Sequence, residues 1–366
     1  MTGKTTGSVR LATTPQDYQR LGLDGDRIAP WEDGLRIGFE KGTYEWWYFD
    51  THLKNGATLV VGFYTKPPIE MDGPLAPVIT INLTTPDGRV FDKTLNVDPS
   101  QFSASKDRCD VRIGDNRFEG DLHTYRINAV IDDIAVDVVL TGELPSWRPR
   151  TGHTYFEHGG QERLFAWLPS VPQGRAEVRY SIGEDTFESV GSGYHDHNWG
   201  DAPMQELMHD WYWARAEIGP YTVIAAYITA EEKYGYTPQF SFVLGKDGVI
   251  VADDQTKVRF ETAGVFTDEP TGKPVGATTR YIYQDGAAHY VISFERQETL
   301  LREKFADKLP FLKRIAAKAV GFDGAYLRFT GQATLERFED GQVVERHTDK
   351  AIWELMYFGH PRPPAV

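Results

Sequence analysis

Apolar and polar residues alternate along most of the chain, in runs that end at Asn-Gly or Asp-Gly pairs. These pairs separate β-rich segments such as residues 58–64, 249–252 and 343–347. The five pairs are Asn55-Gly56, Asp87-Gly88, Asp247-Gly248, Asp285-Gly286 and Asp340-Gly341. Alternation with period two, interrupted by such two-residue turns, is typical of antiparallel β-hairpins. The pattern therefore predicts an almost entirely β protein.

One segment, residues 298–320, departs from this alternation. Its apolar residues recur at near-helical spacing, which predicts a short helical segment that Pro310 kinks or breaks. These apolar residues are Leu301, Phe305, Leu309, Leu312, Ile315 and Ala316. Within residues 302–318 the charged positions are mostly basic: Arg302, Lys304, Lys308, Lys313, Arg314 and Lys318 against Glu303 and Asp307. A basic amphipathic helix is a candidate for peripheral contact with a membrane, and the alternative is a solvated face that covers a barrel.

An internal repeat divides the chain into two similar halves. The segment Glu45-Trp46-Trp47-Tyr48 recurs 165 residues later as Asp210-Trp211-Tyr212-Trp213, and in each copy a tight turn and an apolar strand follow. The repeat predicts two tandem antiparallel β-barrels or sandwiches, which also suits a length of 366 residues. We expect an N-terminal extension (1–39), an N-terminal domain (40–204) and a C-terminal domain (205–366). Residues 145–174 are expected to form a long irregular connection over a barrel mouth.

The charge and cysteine content of the chain limit the kinds of molecule that it is expected to bind. With 53 acidic and 39 basic residues the formal net charge is −14, which opposes binding to nucleic acid. The single cysteine, Cys109, excludes an internal disulfide, and the first residues lack the apolar stretch of a signal peptide. We therefore expect a cytoplasmic protein whose partner is a hydrophobic small molecule.

The densest group of chemically useful residues is Gly-Tyr-His-Asp-His-Asn-Trp-Gly at positions 193–200. In a strand, alternate side chains share a face, so that His195, His197 and Trp199 lie opposite Tyr194, Asp196 and Asn198. Apolar surroundings would favour the protonated form of Asp196 and make it a general acid, with the histidines orienting it or holding a water. The alternative is that Asp196 and Asn198 satisfy backbone groups at a domain junction. The cost of burying so many polar groups favours a site.

A metal site is the alternative use of these histidines. His195 and His197 with His153, His158 or His209 would supply three histidine ligands. No cysteine pair and no His-Glu-x-x-His motif accompanies them. We therefore predict no metal.

The repeated aromatic strands offer further candidates. In the first copy, Glu45 shares a face with Trp47 and Phe49, while Trp46, Tyr48 and Asp50 occupy the other. In the second copy, Asp210 shares a face with Tyr212, opposite Trp211, Trp213 and Arg215. A desolvated tryptophan face stabilises a cation by ~1–2 kcal/mol, so these rings suit either a carbocation or an aromatic core.

Four motifs in this order resemble the lipocalin-like family of carotenoid 1,2-hydratase, kievitone hydratase and lipocalin-like Diels–Alderases, over residues 40–360. The motifs are residues 44–50, 193–200, 211–215 and 353–359. The resemblance implies two lipocalin-like β-barrel domains, a ligand cavity in or between them, and no cofactor. It also implies either hydration of an isoprenoid double bond or cycloaddition of a polyene. Residues implicated in the hydratases correspond to Asp196, His195, Trp199 and Tyr212.

Together these observations favour a cofactor-independent hydratase of an isoprenoid or terpenoid alkene. In this hypothesis Asp196, helped by Glu45, protonates the alkene, and a water held by His195, His197 or Tyr212 adds to the tertiary cation. The residues expected to contact the substrate or the cation are Trp46, Trp199, Trp213, Tyr194 and Asn198. The alternatives are a pericyclase that folds a polyene and a carrier of hydrophobic metabolites without chemistry.

Overall fold

The computed structural model describes residues 6–67, 71–308, 323–359 and 361. The chain divides into two compact units, one comprising Arg10–Pro203 and the other running from Met204 onward together with the first residues of the chain. Both units are built almost wholly from antiparallel strands. The predicted all-β fold class is confirmed.

Up to residue 203 the chain forms one large sheet with a few short helical turns. Its strands are β1 (Ser8–Leu11), β2 (Tyr44–Leu53), β3 (Thr58–Tyr64), β4 (Val78–Thr84), β5 (Val90–Asn96), β6 (Phe102–Ala104), β7 (Asp110–Ile113), β8 (Asn116–Gly120), β9 (Thr124–Ile131), β10 (Ile134–Gly142), β11 (His153–His158), β12 (Gln161–Ile182) and β13 (Asp185–Gly200). The helical elements are α1 (Pro15–Leu21) and the 3-10 turns Pro30–Asp33 and Pro99–Gln101. The sheet order is β5-β4-β3-β2-β13-β12-β10-β9-β8-β7-β6, with β11 beside β12 and β1 beside β11.

From residue 204 onward a second sheet follows the same plan. Its strands are β14 (Met208–Ile218), β15 (Tyr221–Ala230), β16 (Pro238–Lys246), β17 (Val249–Ala252), β18 (Val258–Ala263), β19 (Phe266–Asp268), β20 (Lys273–Val275), β21 (Thr278–Asp285), β22 (Ala288–Lys304), β23 (Ala325–Glu339) and β24 (Gln342–Tyr357). The helical elements are α2 (Met204–Leu207) and the 3-10 turns Glu232–Tyr234, Gln255–Lys257 and Phe305–Lys308. The order is β17-β16-β15-β14-β24-β23-β22-β21-β18, and β19 pairs with β20.

The internal repeat is visible in the strand pairing. In each unit the aromatic strand, β2 or β14, pairs on one side with the apolar strand that follows it and on the other with a late strand, β13 or β24. Four of the five Asn-Gly and Asp-Gly pairs lie between paired antiparallel strands, as predicted, and in the fifth Asp285 ends β21 while Gly286 lies in the turn to β22. At Asp340-Gly341 both residues have positive φ, 50° and 77°, which the type I′ turn requires. These pairings confirm a duplicated lipocalin-like architecture.

A hydrophobic core lies within each unit. In the first, Trp47, Phe49 and Phe63 are completely buried with many aliphatic side chains. In the second, the core is rich in aromatic rings, including Tyr212 and Phe260. Because the inward positions of both sheets are occupied by packed side chains, each sheet carries its own core.

The predicted helix at 298–320 is wrong over its first part, because residues 298–304 belong to strand β22. Register shifts occur between Arg296 and Glu298 and between Thr299 and Leu301, where β22 pairs with β23. Each bulge interrupts the period-two alternation of β22. The apolar residues of this part of the sequence are therefore spaced as they would be in a helix. The 3-10 turn Phe305–Lys308 ends the described part of the segment, and residues 309–320 lie outside the described residues.

The membrane contact expected of residues 302–318 gains no support. Arg302 belongs to β22, and its Nε lies 2.7 Å from the Asp268 carboxylate, so it is paired within its own unit. No helix among the described residues has the length and apolar character needed to cross a bilayer.

The long connection expected at 145–174 is also wrong over most of its length. Residues 153–158 form β11, and residues 161–174 form the first part of β12. Pro and Gly are tolerated there because β12 carries register shifts between Leu168 and Val171 and between Val171 and Gly174.

Candidate functional site

The motif at 193–200 forms the end of β13, between β12 and β2, and every residue in it is buried. Glycine is needed at position 193 because a Cβ there would lie 2.7 Å from Leu140 Cδ1 and 3.0 Å from Ala176 Cβ. Asp196 faces a bulge, since Pro169 and Ser170 of β12 lie opposite this one residue. Bulges beside a site re-aim side chains. The two faces of the strand separate the motif into two groups.

On the inner face, His195 is tied to two acceptors. Its Nδ1 lies 2.8 Å from the Tyr48 carbonyl oxygen and its Nε2 lies 3.2 Å from Asp33 Oδ2. A carbonyl oxygen only accepts, so Nδ1 carries a proton. The Tyr125 hydroxyl donates to the same Asp33 oxygen.

His197 joins the two buried carboxylates of this face. Its Nε2 lies 2.7 Å from Glu45 Oε1 and its Nδ1 lies 3.4 Å from Asp33 Oδ1. Its ring stacks on Trp47 at 4.7 Å between centroids. Glu45 also accepts the backbone N–H groups of Arg36 at 2.7 Å and Ile37 at 3.1 Å. We call Asp33, Glu45, His195 and His197 the inner cluster.

The inner cluster is sealed from solvent and electrostatically coupled. Its four side chains are at most 1% exposed. Burial alone would raise the pKa of Asp33, but His195, His197 and the Tyr125 hydroxyl hold that pKa below its usual value. An ionised Asp33 therefore lies beside two imidazoles in the interior of the first unit, at a position closed to solvent.

The three-histidine metal set does not form among the described residues. The potential metal donors that converge there are Asp33, Cys109 and His195, within 4.8 Å of one another. Burial raises the pKa of the Cys109 thiol well above its usual value, so the sulfur is protonated and a poor ligand. Both His195 nitrogens already face oxygen acceptors. These residues therefore fit a metal poorly.

On the outer face, Asp196 accepts three hydrogen bonds. Trp167 Nε1 at 2.7 Å and the Tyr194 hydroxyl at 2.8 Å donate to Oδ2, and Asn198 Nδ2 at 2.9 Å donates to Oδ1. We call Asp196, Tyr194, Asn198 and Trp167 the outer acid group. The sequence identified the first three, but Trp167 comes from β12, in the segment predicted to be irregular.

Burial raises the pKa of Asp196 to about 6, although the hydrogen bonds from Trp167 and Tyr194 oppose the rise. The negative charge of Asp50 adds to the increase. Asp196 is therefore a carboxyl group that both keeps and releases a proton near neutral pH. Such a group is suited to general acid–base catalysis.

Aromatic rings lie along the same face of β2. Trp46 lies opposite Asn198 in the register and stacks on Tyr44 at 5.1 Å, with Tyr64 at 6.2 Å. Tyr48 lies opposite Asp196, and its ring is 6.3 Å from that of Tyr194. Electron-rich rings therefore lie on the strand next to the acid, at the positions opposite Asp196 and Asn198.

Trp199 lies on the inner face but beyond the inner cluster. Its ring is 4.7 Å from His197 and 5.3 Å from His153. Trp199, His153 and Trp167 border a cavity of about 220 Å³ within the first unit. Sequence reasoning identified His153 only as a metal candidate, and nothing in the local pattern pointed to this cavity.

Tyr212 and Trp213 belong to the second unit, unlike the other eight predicted site residues. Tyr212 is 3% exposed, and its hydroxyl accepts the Gly276 N–H at 3.0 Å. Burial raises its pKa above the usual range. Trp213 is half-buried on the opposite face of β14. Within its own unit, Tyr212 is a core residue.

Comparison with known proteins gives one consistent result. The sequence profile described as Diels-Alderase-like matches residues 36–325. The quinolone epoxide rearrangement protein asqO of Emericella nidulans is 25% identical over 321 residues, or 82% of this chain and 84% of that protein. The hydroxyneurosporene dehydrogenase of Chlorobaculum tepidum is 30% identical over 213 residues, or 48% of this chain and 53% of that protein.

Solved structures share the fold. The crystal structure of CghA has a TM-score of 0.58 at 14% identity, covering 92% of this chain and 97% of its own. Kievitone hydratase from Nectria haematococca has a TM-score of 0.50 at 12% identity, covering 97% and 98%. These matches confirm the resemblance that the four sequence motifs indicated.

Proposed function

Because the chain belongs to the Diels-Alderase-like family, we propose that it is an enzyme in which Asp196 acts as a general acid on a hydrophobic small molecule. The reaction proposed is hydration of an isoprenoid or terpenoid C=C bond. The observation that carries the proposal is the outer acid group, a buried carboxyl whose pKa is about 6, held by Trp167, Tyr194 and Asn198.

The hydrogen bonds around Asp196 favour a proton on Oδ1. Oδ2 already accepts from Trp167 and Tyr194, whereas Oδ1 has Asn198 as its partner. Rotation of the Asn198 amide by a half turn presents its oxygen, which accepts a hydrogen bond from the protonated Oδ1 of Asp196. Asn198 can therefore stabilise both the acid and the carboxylate.

In the proposed reaction, Asp196 gives its proton to the less substituted alkene carbon, and a new C–H bond forms. The positive charge on the neighbouring tertiary carbon is stabilised by the Trp46 ring and the tyrosines beside it. A water oxygen then bonds to that carbon and releases a proton, which returns to the Asp196 carboxylate. The acid is regenerated, and no electrons are exchanged.

Glu45, His195 and His197 take a positioning role in this proposal. They lie in the sealed inner cluster, on the face of β13 opposite Asp196. Their contacts with Asp33, Tyr48 and one another fix β13 against β2, and that pairing sets the direction of the Asp196 side chain.

A second candidate reaction is acid-catalysed opening and rearrangement of an epoxide. It is favoured by the match to asqO, a quinolone epoxide rearrangement protein, over 82% of this chain. Here the Asp196 proton goes to the epoxide oxygen, which is a stronger base than an alkene carbon. The C–O bond breaks, and the same aromatic rings face the developing cation. A neighbouring group then migrates with its bonding electrons to the cationic carbon, and the proton that is lost returns to the Asp196 carboxylate, so that the product is an isomer of the epoxide.

The test is incubation of the full-length protein in heavy-oxygen water with prenylated phenols, acyclic terpenes, polyenes and aryl epoxides, followed by mass spectrometry. Hydration predicts a product that contains one heavy oxygen from water. Epoxide rearrangement predicts an isomer without heavy oxygen from an epoxide only. Cyclised polyene would instead indicate a pericyclase, and bound but unchanged ligand would indicate a carrier.

Asp196→Asn preserves the shape of the acid but cannot protonate the substrate. We expect turnover to fall by ~10²–10⁴-fold, the usual contribution of a general acid. Asp92→Asn is the matched control, since Asp92 is an exposed carboxylate on β5. Full turnover by Asp196→Asn would overturn the assignment.

A further inference from the structure

The cavity of about 220 Å³ in the first unit is bordered mainly by apolar side chains. They include Leu21, Leu23, Leu164, Leu168 and the rings of Trp167 and Trp199. The first two come from the segment before β2, so this early part of the chain forms one wall. An apolar cavity of ~150 Å³ takes up benzene. A molecule with one substituted ring therefore fits the space.

His153 supplies a fixed hydrogen-bond acceptor at this cavity. Its Nδ1 lies 2.7 Å from the Thr151 carbonyl oxygen, so Nδ1 carries the proton and the neutral ring keeps a lone pair on Nε2. The residue is 8% exposed. Among the described residues Nε2 has no hydrogen-bond partner, and His153 is one of the side chains that line the cavity.

The imidazole stays neutral at physiological pH. Burial lowers the pKa of His153 to about 4, the Thr151 hydrogen bond opposes this effect, and the positive charges of Arg148, Arg20 and Arg36 add to it. Nε2 therefore accepts a hydrogen bond and does not act as a cation.

The two arginines that border the cavity are already engaged. Arg148 donates from Nε to Glu32 at 2.7 Å, from Nη2 to the Asp24 carbonyl at 2.7 Å, and from Nη1 to the Arg150 carbonyl. Arg36 donates from Nε to the Gly34 carbonyl at 2.9 Å and from Nη2 to the Lys106 carbonyl. These contacts occupy most of the guanidinium donors at the cavity, whereas the lone pair of His153 Nε2 has no partner among the described residues.

We propose that this cavity binds a small, uncharged, one-ring molecule whose single hydroxyl group donates to His153 Nε2. A phenol or a cyclic alcohol has the required size and chemistry. The inference is independent of the reaction proposed for Asp196. The two sites share one side chain, since Trp167 borders the cavity with its ring and donates to Asp196 from Nε1.

Titration of the full-length protein with phenol, anisole and benzoate tests the proposal. Calorimetry gives the affinity, and the side-chain ¹⁵N signal of His153 gives the site. Phenol is expected to bind at least about ten-fold more tightly than anisole, which lacks the donor, and to shift the Nε2 signal. Equal affinities for phenol and anisole, tighter binding of benzoate, or no binding of phenol would each overturn the proposal.

Variants distinguish the contribution of the His153 hydrogen bond to ligand affinity from that of the cavity volume. His153→Leu is expected to abolish the preference for phenol over anisole, whereas His153→Gln keeps an acceptor and part of that preference. Leu164→Phe fills the cavity and is expected to weaken both ligands. His123→Leu removes an exposed histidine and should change neither affinity. A phenol preference that survives in His153→Leu would refute the role of His153, and thermal unfolding of each variant confirms that it is folded.

Discussion

The equivalent strand pairs of the two units, β2 with β13 and β14 with β24, differ in their inward-facing side chains. His197 and His195 of β13 lie opposite Trp47 and Phe49 of β2, while Leu355 and Trp353 of β24 lie opposite Tyr212 and Ala214 of β14. The inward positions that hold two imidazoles in the first unit thus hold an aliphatic and an aromatic side chain in the second. There, Tyr212 packs against Phe260 at 5.6 Å.

The outward positions differ much less. Asp196 accepts from Trp167 and Tyr194, and its counterpart Glu354 contacts Trp211 Nε1 at 3.4 Å and the Tyr326 hydroxyl at 2.6 Å. Both units therefore hold an outward carboxylate between an indole and a phenol. The comparison shows that the inner cluster is the distinguishing feature of the first unit, and that Asp196 differs from Glu354 mainly in being more deeply buried.

The largest expected effect comes from the inner cluster. Glu45→Ala leaves two backbone N–H groups and His197 without their acceptor, and we expect a loss of ~3–5 kcal/mol in the free energy of unfolding. The repeat counterpart Asp210→Ala releases His209 and Thr229 at a less buried position, and should cost ~1–2 kcal/mol. Urea unfolding followed by hydrogen exchange measures the two units separately. Equal losses in the two variants would contradict the claim that the inner cluster distinguishes the first unit.

A smaller effect of opposite sign is expected at Asp196. The folded-state pKa of Asp196 is about 6, above the unfolded value of ~3.9. The Asp196 carboxyl therefore stabilises the folded state below pH ~4, and this contribution is lost as the pH rises through 6. Asp196→Asn should therefore stabilise the protein at pH 7 by ~1–3 kcal/mol, and this gain should vanish near pH 4. Urea unfolding at both pH values measures it. Glu354→Gln, at the half-buried counterpart, should gain less, and a larger gain there would contradict the burial argument.

The smallest expected effect tests the second core. Tyr212→Phe leaves the Gly276 N–H without its acceptor, so a loss of ~1 kcal/mol is expected. Chemical unfolding provides the measurement. A loss as large as that of Glu45→Ala would show that the second core also depends on a polar network.

The sequence alone was sufficient for the β architecture, because turn pairs and alternation are local signals. The Asn-Gly and Asp-Gly turns, the repeat of residues 45–48 at 210–213, and the separation of His195 from Asp196 all follow from period two. The error at 298–304 has the same origin, since two bulges in β22 interrupt that period.

The partners of the site residues could not be predicted because they are distant in sequence. Asp33 lies 162 residues before His195, and Trp167 lies 29 residues before Asp196 in a segment that Pro and Gly made look irregular. No local periodicity reports such contacts. The sequence therefore predicted the two histidines as catalytic candidates without indicating that both are completely buried beside Asp33.

The pairing of β2 with β13 also constrains how the protein is made. Residue 45 meets residue 199 across this pair, so the first sheet is completed only after some 150 further residues have left the ribosome. Until then the nascent chain holds unpaired strand edges and two carboxylates that lack their histidine partners. The first sheet is therefore completed late in synthesis, and until then its unpaired strand edges favour aggregation.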